Sequence, residues 1–274
     1  MKGERRSTKR GTSIEFADYR DYTRGDDLRR LDWNVYARLE KPFIKVLEEE
    51  EDLTIHILLD SSASMNWPED SSPVPLDVHK FRYGQRLAGA LAHIGLSTGD
   101  RVSVGLLSGA GLAQRWGPHR GRGQTLRLLT WLEGLVPAGE TNLNAALNDY
   151  ALRGGRPGLA LIISDMLSPN GYVDGLNALQ GRGYEVGFLH LLSPDEIEPP
   201  LAGDLRLIDC ETGQGQDVTI DGAMRDLYAR RLLAWRDEMA TTCRGRDVHY
   251  VAIETDAPWE NVILYELRRA GVVR

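Results

Sequence analysis

The sequence predicts an α/β fold: a doubly wound, mostly parallel sheet flanked by helices, with a β-rich N-terminal arm and a β-hairpin insertion. Two observations predict it. The run Leu53 to Leu59 is apolar apart from Thr54 and His56 and stops at Asp60, which suits a strand buried on both faces of a parallel sheet. Further short apolar runs then alternate with segments of helical spacing, the pattern of repeated βαβ units.

In order along the chain, residues 1–50 form the arm and 51–274 the main domain. Lys2, Arg5, Arg6, Lys9 and Arg10 make a basic tail. Alternation at Leu31, Trp33 and Val35 and again from Phe43 to Leu47 predicts two short strands joined at Glu40-Lys41-Pro42, with another turn at Tyr22 to Asp27. Interleaved Arg and Asp side chains read as structural pairs, and so short a segment is expected to pack as an arm on the main domain. After Asp60, Asp77 is the expected N-cap of a helix reaching Leu96, with Phe81, Gly84, Leu87, Ala88, Leu91, Ile94 and Gly95 along its inner face. Arg101 to Leu107 is the next strand, and Leu112 to Trp116 a short edge strand. Gln124 to Leu135 reads as a helix with Leu126, Leu129, Thr130 and Leu132 inward. Thr141 or Asn142 caps a helix to Leu152. A strand at Gly158 to Ser164, a helix at Tyr172 to Gln180 and a strand at Tyr184 to Leu192 continue the alternation. Two β-prone runs around Gly213 predict a hairpin over about 204–221, followed by a helix at Ala223 to Thr241, a strand at Asp247 to Glu254 and a closing helix at Trp259 to Ala270.

Composition narrows the function. With 42% hydrophobic and 27% charged residues the chain reads as an ordinary globular protein, and a net charge of −7 argues against general nucleic-acid binding. No apolar run is long enough to span a bilayer and no signal-peptide core opens the chain, so a cytoplasmic protein without membrane insertion is expected. Cys210 and Cys243 lie in no CxxC or Cys/His cluster, so they read as inert, partly buried thiols rather than zinc ligands.

The chemistry concentrates where strands end. Asp60, Ser62 and Ser64 stand at alternate positions, so an extended chain points all three one way. Thr141 precedes a helix, and Asp165 follows a buried strand whose carboxyl end lies on the same sheet edge as that of Asp60. Two carboxylates and three hydroxyls are hard oxygen donors suited to Mg²⁺, with Mn²⁺ or Ca²⁺ as variants. Asn66 and Asn142 are either outer helpers or caps.

This set resembles the metal-ion-dependent adhesion site of von Willebrand factor A domains, with Asp60-Ser61-Ser62-Ala63-Ser64, Thr141 and Asp165 in the matching order. The resemblance implies a Rossmann-like sheet and recognition of a partner's acidic side chain through the ion, without bond-breaking chemistry. Glu140 departs from the Gly usual before the Thr and places a third carboxylate near the site. The arm, from Gly11 and Ser13 through Glu15-Phe16, Asp18-Tyr19-Arg20, Gly25-Asp26-Asp27, Arg29 and Leu31-Asp32-Trp33 to Ala37-Arg38, resembles the signature of the Domain of Unknown Function 58 family; Ser13 stands where Gly is more usual. That resemblance implies an adaptor or co-chaperone, with a MoxR-type AAA+ ATPase as partner and an unnamed client protein. The alternative, a metal-dependent hydrolase of phosphate esters, needs a second carboxylate two residues after Asp60, where Ser62 stands. P-loop and dinucleotide-binding motifs are absent; no enzyme activity is expected and no catalytic residue is assigned. His56 and His190, inside apolar strands, read as core residues.

Overall fold

The computed structural model describes residues 13–50, 54–68, 78–211 and 213–271. The chain divides into two units, 1–52 and 53–274. In the first, β1 (Ser13–Asp21) and β2 (Phe43–Glu50) pair antiparallel, Ser13 opposite Glu50 and Asp21 opposite Phe43. Arg20 grips Asp26 through both guanidinium nitrogens at 2.7 and 2.6 Å, and Thr23 N donates to the same carboxylate at 2.8 Å, closing the turn expected there. The Arg and Asp residues of this turn are thus structural partners.

The strand expected at Leu31 to Val35 is instead the start of α1 (Trp33–Leu39). Asp32 decides this: its Oδ1 accepts from Asn34 N at 2.9 Å and Val35 N at 3.2 Å, an N-cap that outweighs three residues of alternation. The Tyr19 hydroxyl donates to the other Asp32 oxygen at 2.8 Å and ties the helix start to β1.

The second unit is an α/β layer structure. Its strands are β3 (Thr54–Asp60), β4 (Arg101–Ser108), β5 (Gly111–Arg120), β6 (Leu159–Ser164), β7 (Glu185–Leu192) and, after the hairpin β8 (Gly203–Ile208) and β9 (Gly215–Ile220), β10 (His249–Glu254). The six-stranded sheet runs β10-β7-β6-β3-β4-β5. All neighbours are parallel except β5, which is antiparallel to β4. The chain therefore winds one way from β3 through β4 to β5, and the other way from β3 through β6 and β7 to β10. Strand order reverses at the β3–β6 pair, where the carboxyl ends of these two strands lie side by side.

Helices cover both faces. On one lie α2 (Lys80–Thr98), α3 (Thr125–Glu133) and the closing segment 259–269; on the other α4 (Leu143–Arg153), α5 (Val173–Gly181) and α7 (Gly222–Arg244), with α6 (Pro194–Ile197) a single turn after β7. Ile57 and Leu59 pack toward α2, and Leu58 between them packs toward α4. Burial on both sides explains why β3 reads as a continuous apolar run rather than an alternating one. Small residues let α2 approach closely: a Cβ on Gly84 would lie 2.8 Å from Leu59 Cδ1.

Several boundaries and faces depart from expectation. Helix α2 is capped by His79, and Asp77 lies outside the described residues. In α3, Leu126 and Leu129 are exposed and the buried stripe is Leu128, Leu132 and Leu135. Leucines at 126, 128, 129 and 132 make two overlapping stripes, and the one that continues to Leu135 at i+7 wins. The closing helix contains a wider π turn at Val262–Glu266. Cys210 is exposed rather than partly buried, because it sits in the hairpin turn, whereas Cys243 is fully buried; both are free thiols. Among the described residues, no helix is long and apolar enough to cross a membrane.

Candidate metal centre at the sheet's switch point

Three loops converge beyond the ends of β3 and β6. The first follows Asp60 and is anchored on β4 by Ser61, whose backbone N–H and hydroxyl both donate to Leu107 O, at 3.0 and 2.7 Å. The second, residues 137–142, is laced to the first by Ala63 N to Gly139 O at 2.7 Å and Ala138 N to Ser61 O at 2.8 Å. Gly109 fixes its far end, donating to Glu140 O and accepting from Asn142 N, each at 2.8 Å, with Thr141 held between. The third follows β6, where Asp165 Oδ1 accepts from Leu167 N at 3.1 Å and Met166 takes a left-handed φ of 60°. Held positive φ at a non-glycine residue is the kind of strain that collects at functional sites.

These loops place the five expected residues together. Asp60 is 2% exposed, with Oδ1 accepting from Ser62 N at 3.0 Å and Oδ2 from the Ser164 hydroxyl at 2.6 Å. The Ser62 and Ser64 hydroxyls are 2.9 Å apart. Thr141 is 4% exposed and its Oγ1 makes no complete hydrogen bond, although it lies close enough to Asp60 to help hold that carboxyl's pKa down. Burial, then the charge of Asp165, push the Asp60 carboxyl above its usual range; the Ser164 hydroxyl and the Ser62 amide oppose the rise. Asp165 goes the other way. Its burial is outweighed by the Lys80 ammonium, with further hydrogen bonds from Leu167 N and the Ser64 hydroxyl, so its carboxyl is held down.

Lys80 and Ser164 contact the two aspartates and were missed by sequence reasoning. Lys80 is the first residue of α2 and fully buried, with Nζ 2.7 Å from Asp165 Oδ2 and 2.6 Å from Glu196 Oε1. Glu196 in turn accepts from Ser193 N at 2.8 Å in the capping box of α6. Nothing local marks a helix-opening Lys as buried; only the topology brings it to β6. Ser164 precedes Asp165 and was legible only as the end of a strand. A third oversight is Glu211, in the turn between β8 and β9. It is half-buried, and burial raises its carboxyl pKa, with the charges of Asp165 and Asp60 adding to the rise. Glu140, the carboxylate the sequence drew attention to, is exposed. Asn142 is a helix cap, accepting from Ala145 N at 3.0 Å, and Asn66 pairs with His79 at 3.3 Å.

The donor set fits a small divalent cation on one structural ground: a buried threonine oxygen left without a partner beside a buried carboxylate. Such a cation would be held by Asp60, Ser62, Ser64, Thr141 and Asp165. Among the described residues no three His, Cys, Asp or Glu side chains form a metal cage by themselves. Neutral hydroxyls supply most of this donor set, as suits an ion that keeps water in its shell. A shallow, open concavity of about 400 Å³, lined by Asp204, Arg206, Asp217 and Thr219 among others, opens on the β8–β9 strands and carries no comparable convergence of groups.

The fold and site define an α/β protein with a mixed six-stranded sheet and an oxygen-rich cluster at its switch point. The family profile "Protein of unknown function DUF58" matches residues 18–238, and the chain belongs to that family. Uncharacterized protein Rv1480 of Mycobacterium tuberculosis H37Rv is 30% identical over 252 residues, 91% of this chain and 77% of that protein. Uncharacterized protein MAV169 of Mycobacterium avium is 36% identical over 120 residues, 43% of this chain and 70% of its own length. Among solved structures, the conserved hypothetical protein BatB from Bacteroides thetaiotaomicron aligns with a TM-score of 0.45 at 17% identity, over 80% of this chain and 98% of that one. An aerotolerance-related membrane protein from Bacteroides fragilis aligns with a TM-score of 0.44 at 18% identity, over 77% and 97%.

Proposed function

We propose that the second unit is a von Willebrand A-like recognition module that binds Mg²⁺ at Asp60, Ser62, Ser64, Thr141 and Asp165 and uses the ion to take an acidic side chain of a partner protein. The observation that carries this reading is Thr141 Oγ1, enclosed beside the Asp60 carboxyl without a hydrogen bond of full geometry. A buried hydroxyl without a partner costs about 1–3 kcal/mol, so a group that uses it restores what folding leaves unsatisfied. The strand order, reversing at the strand that carries Asp60, supports the von Willebrand A comparison. Lys80 adds an argument about charge: by pairing with Asp165 it offsets one of the two carboxylates and leaves the ion net positive toward an incoming anion. A recognition role is favoured over phosphate-ester hydrolysis because both Asp60 oxygens are engaged and Lys80 is committed to two carboxylates. The arm's family resemblance is what points to a MoxR-type AAA+ ATPase as the partner in client-protein maturation.

Thermal melting with and without Mg²⁺ tests the site. Wild-type protein should melt several degrees higher with saturating Mg²⁺, since ligand at about 100 times its Kd stabilises by roughly 2.7 kcal/mol. Asp60→Ala should erase that response; an Mg²⁺ shift of wild-type size in Asp60→Ala would refute the site.

A further inference from the structure

A lysine enclosed at the start of a helix is costly unless its charge is answered on the spot. The Lys80 side chain has no exposed surface, and its ammonium reaches two carboxylates that differ in their access to water. The Asp165 side chain, with Oδ2 2.7 Å away, is 1% exposed; that of Glu196, with Oε1 2.6 Å away, is 21% exposed. The backbone here is pinned, since Lys80 N donates to Trp67 O at 2.8 Å, so what can shift is the ammonium on its flexible four-carbon stem. Glu196 is braced to receive it. Its other oxygen, Oε2, accepts from Ser193 N at 2.8 Å and from the Ser193 hydroxyl at 3.2 Å, and its backbone carbonyl accepts from the Tyr228 hydroxyl of α7. Asp165 is also one of the two carboxylates of the proposed cation site, so an ion there and the Lys80 ammonium would share a single carboxylate. Two like charges so close repel each other strongly away from water.

Resting on the cation site proposed above, we infer that Lys80 is the centre's internal cation: its ammonium holds Asp165 until a divalent ion binds, and its pairing then shifts to Glu196. The Lys80–Asp165 ion pair is thus an autoinhibitory contact that the ion has to loosen. Glu196 is a positioning residue that gives the ammonium somewhere to go. The exchange reaches the surface through α6. That single turn is closed by the Ser193–Glu196 capping box and tied to α7 by Tyr228, so an ammonium committed to Glu196 firms α6 and the first turns of α7.

Mn²⁺ calorimetry on the full chain, beside amide hydrogen exchange with and without Mg²⁺, tests this. Glu196→Gln keeps the side chain's shape and the capping box but removes the charge that draws the ammonium away. It should bind Mn²⁺ about tenfold more weakly than wild type. Lys80→Met removes the competing cation and should bind Mn²⁺ about tenfold more tightly. A merely structural role would weaken binding in both variants, so opposite signs are the mark of competition. In wild type, Mg²⁺ should slow exchange at residues 195–198 and 225–230, and Glu196→Gln should lose that effect. If Lys80→Met fails to fold, Glu196→Gln decides alone. Wild-type Mn²⁺ affinity and exchange in Glu196→Gln, or weaker binding by folded Lys80→Met, with binding still abolished by Asp60→Ala, would overturn the exchange and leave the cation site standing. Absence of Mn²⁺ binding by wild type would remove the site itself, and the inference with it.

Discussion

Lys80 is the residue on which the centre's electrostatics turn. Its stem is enclosed and its ammonium divides between buried Asp165 and partly exposed Glu196, so two charges leave water together and a third stays at the edge. Such a network is weak evidence of net stabilisation, but removing one member is costly because the others stay buried and uncompensated. Lys80→Met, which nearly preserves volume, is expected to destabilise the protein by about 3–5 kcal/mol in urea titration without added metal. A loss below ~1 kcal/mol would mean that Asp165 and Glu196 find other partners. The residue scale also shows where sequence reading stops. Asp60, Thr141 and Asp165 stood out because each sits beside a strand end or helix start that periodicity locates, and Ser62 and Ser64 by their spacing from Asp60, although Ser64 lies in a 3-10 turn and not in the extended chain expected. Lys80, Ser164 and Glu211 were not, because their roles depend on which elements become neighbours in space. Glu140, the sequence neighbour of Thr141, is exposed, while Glu211 on a distant hairpin is half-buried.

At the scale of elements, long and strongly patterned segments were readable and short ones were not. The five parallel strands and the helices α2, α4, α5 and α7 follow their expected positions to within a few residues, because a strand buried on both faces leaves an unbroken apolar run. The arm misled because its alternation spans only Leu31 to Val35, and the Asp32 side chain, engaging two backbone N–H groups, decided for helix. β1 carries too much charge to announce itself and is stabilised as a strand by pairing with β2. Helix α3 was recognised, but four leucines within seven positions left its inner face ambiguous until packing against α2 chose Leu128 and Leu132. The hairpin was found from its turn residues, Gly213 among them.

At the scale of the molecule, stability and the centre share one core. His56, in the middle of β3, links sheet and helix layer: its Nδ1 lies 2.8 Å from the Tyr150 hydroxyl and its Nε2 3.0 Å from Arg156 O. The carbonyl can only accept, so Nε2 carries the proton and Nδ1 accepts from the tyrosine. Burial depresses the imidazole pKa from 6.5 to about 4; the Arg156 carbonyl opposes this and the Arg115 charge adds to it. The unfolded chain therefore binds more protons than the folded one between those values, and stability rises with pH across that window. His56 contributes fully above about pH 6.5, and its contribution is lost as pH falls through 4, a change of roughly 3 kcal/mol. Urea midpoints from pH 7 to 4 should show this slope together with one of the same sign from His190, whose burial also lowers its pKa to about 4, and His56→Gln should reduce the slope by about half; an equally steep profile in the variant would assign it to other groups.

The cation site is the central claim, and Thr141→Val tests it most directly, because the change removes one oxygen from the cluster and almost nothing else. Mn²⁺ calorimetry and metal-free melting on the same variant should give at least a tenfold loss of affinity together with metal-free stability unchanged to within ~0.5 kcal/mol or slightly raised. Wild-type Mn²⁺ affinity in Thr141→Val, or a variant destabilised without metal, would mean that this oxygen serves the fold and not an ion.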